Sequence, residues 1–93
     1  MARIIHQSTI PRNLPQWLLN VQAAVEDISK VMQVQGDEHD YKNLKSFIDS
    51  SIEAQRSRGN LNSHVETELR YDEGKTVIMI FRNKVLMQTY RIE

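Results

Sequence analysis

Residues 65–81 read V-E-T-E-L-R-Y-D-E-G-K-T-V-I-M-I-F, and this stretch decides the fold. Val65, Thr67, Leu69 and Tyr71 alternate with Glu66, Glu68 and Arg70. Alternation of that kind predicts a half-buried strand. Asp72-Glu73-Gly74 then reads as a tight turn. The run Thr76-Val77-Ile78-Met79-Ile80-Phe81 is apolar on both faces, which predicts a central strand covered on each side. Arg82-Asn83-Lys84 reads as a second turn. Residues 85–92 form a third strand, with Leu86, Tyr90 and Ile92 on one face and Val85 and Met87 on the other. Residues 63–93 are therefore read as an antiparallel sheet.

Upstream the period is helical. From Leu14, apolar residues recur at Trp17, Leu18, Val21, Ala24, Val25, Ile28, Val31 and Met32. On a helical wheel they share one face of roughly 140°. Asn13 is the expected N-cap, Pro15 suits the first turn, and Gly36 is the expected stop. A second helix starts near Asp37 or Asp40, where acidic residues suit the positive end of the helix dipole. Its apolar face holds Tyr41, Leu44, Phe47, Ile48 and Ile52, and Gly59-Asn60 ends it. A short polar link joins the two, so residues 14–59 predict a helical hairpin. Residues 1–13 form a short strand or arm plus a linker, with Ile4 and Ile5 as the strand and Pro11 as the breaker. The fold class is α+β: a helical hairpin on a three- to four-stranded antiparallel sheet, in the order β-α-α-β-β-β.

The chain of 93 residues is long enough for one domain. With 40% apolar and 26% charged residues it has the balance of a globular protein. Twelve basic and twelve acidic residues cancel. Proteins that live on nucleic-acid backbones carry a basic excess, so this balance argues against such a role overall while permitting a local basic patch. No cysteine is present, which removes disulfides, thiolate metal sites and cysteine nucleophiles. No long apolar run is present, so neither a secretory signal nor a membrane span is expected, and the compartment expected is the cytoplasm.

No cofactor is expected. The three glycines are too far apart for a phosphate-cradling loop, and no serine sits in a nucleophile elbow. Asp37-Glu38-His39-Asp40 is the densest set of possible metal ligands. Consecutive residues at a helix start do not converge on one point, so capping is preferred and no metal site is assigned. His6 and His64 would approach one another if the first strand paired near the start of the second. Glu73-Gly74-Lys75 matches the Glu-x-Lys fragment of a metal-dependent nuclease superfamily, but Gly74 places it in a turn.

Two surfaces remain. If both helices cover one face of the sheet, either Ile78 and Ile80 or Val77, Met79 and Phe81 face away from them. Leu19 and Val34 also lie off the main stripe of the first helix. This surplus predicts a homodimer with Leu19, Val34, Ile78 and Ile80 as interface candidates. The second surface is basic: Arg82, Lys84 and Arg91 near one end of the last two strands, with Tyr90 beside them. Basic side chains with aromatics on a sheet can hold single-stranded nucleic acid.

The element order β-α-α-β-β-β is similar to that of the small ribonuclease toxins of toxin–antitoxin pairs. Those toxins set a helical hairpin against an antiparallel sheet and cut messenger RNA on the ribosome with basic side chains. The resemblance is topological and covers most of the chain. It implies Arg82 and Tyr90 as residue types such a site could use, with no family motif matched to them. The zero net charge departs from the basic pattern of that family. The leading expectation is a non-enzymatic protein-interaction domain acting as a homodimer, with no membrane role. The alternative is an RNA-binding or RNA-cleaving protein.

Overall fold

Two helices and four strands follow one another as β1 (Ile4–Ser8), α1 (Gln16–Ser29), α2 (Glu38–Ser57), β2 (Val65–Asp72), β3 (Lys75–Arg82) and β4 (Val85–Ile92) in the computed structural model. The structure describes residues 2–10 and 12–93, with Asp72 by its backbone alone. Pro11, the expected breaker, lies outside the described residues. The strands form one antiparallel sheet in the order β1-β4-β3-β2. The α+β fold read from periodicity is therefore the fold observed, with four strands rather than three.

Each two-residue turn has a positive φ at both central positions: 49° and 77° at Glu73-Gly74, 50° and 69° at Asn83-Lys84. This type I′ geometry matches the right-handed twist of the strands it joins. Lys84 has a Cβ in a left-handed conformation, which glycine adopts without that cost. Lys84→Gly is expected to stabilise the protein by roughly 0.5–1 kcal/mol in urea denaturation. A destabilised variant would mean that the lysine side chain contributes more than its backbone strain costs.

The helices cover one face of the sheet. Trp17, Leu18, Val21 and Val25 of α1 and Tyr41, Leu44, Ile48 and Ile52 of α2 are buried there. They pack on Ile78, Ile80, Tyr90 and Ile92. The Tyr41 hydroxyl donates to the Ile92 carbonyl and accepts from the Ile92 N–H at 3.0 Å, tying α2 to the end of β4. No helix among the described residues is long and apolar enough to cross a membrane.

Three local expectations are corrected. Asn13 is not the N-cap: it sits at φ 59° in the linker, and α1 is capped by Pro15, whose carbonyl accepts from the N–H groups of Leu18 and Leu19. α1 ends at Ser29 rather than at Gly36, because the chain must extend for Val34 to bridge Ala2. The Ala2 N–H donates to the Val34 carbonyl at 3.2 Å, and Val31, expected on the apolar face, is 75% exposed. In β4, a bulge shifts the register between Ile80 and Phe81. Ile80 faces Gln88 and Phe81 faces Leu86, so Met87 is the extra residue and joins the core, while Leu86 does not share a face with Tyr90.

Candidate interaction surface

Strand alternation settles which residues the helices leave uncovered. Ile78 and Ile80 face the helices with no accessible surface, so Val77, Met79 and Phe81 lie on the other face, where Val77 is itself buried at 6% and Met79 and Phe81 are half-buried. On β1, Ile4 and His6 pair with Ile92 and Tyr90 on the helix side, which puts Ile5 on the open side. On β2, Glu66, Glu68 and Arg70 share that open face, paired with Phe81, Met79 and Val77. The result is an apolar centre on β3 with a charged row beside it. No helix or strand among the described residues packs over this face.

The charged row shields the apolar one in part. Arg70 pairs with Glu68, both about half exposed, and its guanidinium carbon lies 5.8 Å from the centre of the Phe81 ring. Glu66, Glu68, Arg70, Phe81 and Lys84 border a shallow hollow of about 190 Å³. Two carboxylates and two cations make this patch neutral.

Of the four interface candidates, Ile78, Ile80 and Val34 are corrected. All three are buried inside the chain, at 0%, 0% and 2% exposure, and offer a partner nothing to touch. Val34 is held by its bridge to Ala2 and the isoleucines by the helix pair. Leu19 alone keeps surface, at 38%.

The nucleic-acid candidates do not form one patch. Arg82 and Lys84 stand at the β3–β4 turn. Tyr90 pairs with Ile78, four residues down β3 from Arg82, so Arg91 lies about 16 Å from the turn at the other end of the strands. Arg91 is further engaged with Glu93 at 3.1 Å. Tyr90 is completely buried, and no base can stack on it. Its hydroxyl is held neutral: burial raises its pKa well above the ordinary tyrosine value, a Gln88 hydrogen bond opposes this, and the Glu26 charge adds to it.

His6 and His64 do not meet, because β1 pairs with β4 and lies on the opposite sheet edge from β2. His6 Nε2 is 3.3 Å from Glu26, and His64 Nε2 is 2.8 Å from Glu66. In the acidic run at the start of α2, Asp37 and Asp40 direct their carboxylates to backbone and Glu38 pairs with Lys42 at 3.1 Å. Asp37 accepts from the Asp40 N–H at 2.8 Å, and Asp40 accepts from the N–H groups of Gln35 and Gly36. The Gln35 N–H above all holds the Asp40 carboxyl below the ordinary carboxylate range. Glu73 and Lys75 flank Gly74 in the β2–β3 turn.

Sequence reasoning passed over two buried polar residues. Gln88 is fully buried on the helix side of β4, bonded to Gln22 and to Tyr90. Gln55, 5% exposed, accepts from the side chains of Asn20 and Asn60 and so joins the two helices to the loop after α2. A glutamine at an inward position beside Tyr90 was the available signal for the first. No protein-family model, curated protein or solved structure matches the chain.

Proposed function

We propose that the protein is a non-enzymatic interaction domain that acts as a homodimer through the uncovered face of its sheet. The observation that carries this reading is the half-buried pair Met79 and Phe81 on β3, on the face of the sheet opposite the helices. Apolar surface of this kind is stabilised by association. The neutral charge of the patch lets two copies approach without net repulsion. The dispersal of Arg82, Lys84 and Arg91, and the burial of Tyr90, leave the RNA reading without a convergent site.

Sedimentation equilibrium tests this directly. The chain is expected to run as a dimer whose mass does not change with added bulk nucleic acid. Met79→Lys is expected to give a folded monomer, because Met79 is half-buried on the open face and a lysine there would be carried into an apolar contact. A wild-type monomer that gains mass only with nucleic acid at low salt would overturn the reading and move the function to the basic side chains.

A further inference from the structure

We infer that the outer edge of β2 takes up an extended segment of another protein, one that carries an acidic residue and then two basic residues at alternating positions, with apolar residues between them. This goes beyond the self-interface proposed above and does not depend on it.

β2 is one of the two edge strands of the sheet. Its pairing with β3 runs without a break in register from Val65–Arg82 to Asp72–Lys75. The two-residue turn makes Asp72 and Lys75 a hydrogen-bonded pair, so the even-numbered residues of β2 direct their N–H and C=O groups to β3. The Asn83 N–H donates to the His64 carbonyl at 2.9 Å, which follows the same parity. The backbone groups of Val65, Thr67, Leu69 and Tyr71 therefore point outward, over about 20 Å of strand. Among the described residues, no backbone group outside the ladder bonds to them.

The other edge is guarded. β1 has five residues; the Ala2 N–H before it donates to the Val34 carbonyl, and the Ser8 hydroxyl at its end accepts from the Ile10 N–H. β2 is longer and contains neither a proline nor a bulge. An open ladder of this length is a surface for strand addition.

The side chains beside the edge decide what fits. On the helix side, Val65 and Leu69 pack partly on the core and Tyr71 is 73% exposed. Asp49, bonded to Thr67, pairs there with Lys45 at 3.0 Å, so this side offers apolar contact without net charge. On the open side Glu66, Glu68 and Arg70 stand at every second position, a charge order of minus, minus, plus. Their own pairs, His64 with Glu66 and Arg70 with Glu68, are half exposed or more and contribute little. The complementary antiparallel strand reads acidic, basic, basic from its N-terminus. A second copy of β2 matches this order less well. The register that pairs all four outward residues gives two Glu66–Arg70 contacts but sets Glu68 directly against Glu68.

Two synthetic peptides test the inference: Val-Glu-Val-Lys-Val-Lys-Val and its charge-reversed form Val-Lys-Val-Glu-Val-Glu-Val. Binding is followed by the backbone amide NMR shifts of the whole chain. The first peptide is expected to shift the amides of Val65, Thr67, Leu69 and Tyr71, and to bind about tenfold more tightly than the second. N-methylation of its two central valines removes the donors that face β2 and should abolish binding. The variant Glu66→Lys/Glu68→Lys, at two exposed positions, should invert the preference between the peptides. Equal affinity for both peptides, shifts confined to β1 or to the Met79 face, or no binding at millimolar peptide overturns the inference. So does slow hydrogen exchange at those outward amides in the wild-type chain alone, which would mean that a second copy already holds the edge.

Discussion

Ile78→Ala is expected to lower the free energy of unfolding by about 3–4 kcal/mol in urea denaturation, measured at a concentration where the chain is monomeric. Ile78 has no accessible surface and sits on β3 beneath both helices, where deleting three carbons leaves a cavity that Leu44, Ile48 and Tyr90 cannot all close. Against a total of ~5–15 kcal/mol this is a large loss. Met79→Ala, one residue further along, should cost about 1 kcal/mol or less, since its side chain lies on the uncovered face. The contrast between adjacent residues is the informative part. Equal losses would mean that the second face is covered within the monomer, and the interaction surface would have to be sought elsewhere.

That contrast also marks what was legible in the sequence. Element order followed from local periods, because a helix stripe such as Trp17, Leu18, Val21 and Val25 and an alternation such as 65–71 are visible one residue at a time. The face of β3 was not visible, because 76–81 is apolar on both sides and alternation carries no sign. Non-local pairing was equally hidden. β1 joins β4 rather than β2, which separates His6 from His64. The Ala2–Val34 bridge ends α1 before its apolar period does. The interface candidates are buried for that reason: Val34 lies beyond the end of α1, and only packing chooses which face of β3 holds Ile78 and Ile80. The basic group does not converge because Arg91 lies at the other end of the hairpin from Arg82 and Lys84. Of the two alternatives for β3, the structure takes the second: Val77, Met79 and Phe81 face away from the helices, with Val77 itself buried.

The polar chain under α1 predicts a second large effect, this one cooperative. Gln22 Nε2 donates to the Gln88 side-chain oxygen Oε1 at 2.7 Å, and Gln88 Nε2 donates to the Tyr90 hydroxyl at 2.8 Å, with Gln88 and Tyr90 both fully buried. Gln88→Leu leaves the Tyr90 hydroxyl without that donor and is expected to cost about 2–3 kcal/mol. Tyr90→Phe leaves the Gln88 amide without its acceptor and should cost about 1–2 kcal/mol. The double variant removes both groups together, so its loss should fall short of the sum by about 1 kcal/mol or more. Strict additivity in that cycle would show that the two side chains do not act as a unit. The same tyrosine sets an alkaline limit. Its pKa is raised in the folded protein, so above about pH 10 the unfolded chain gives up the phenolic proton first and binds fewer protons than the native state. Stability contributed by the neutral hydroxyl is complete below that pH and is lost as pH rises through the folded-state value. Wild type should therefore lose stability more steeply than Tyr90→Phe between about pH 9 and 11. Parallel slopes would mean that the Tyr90 proton is not the one the core protects.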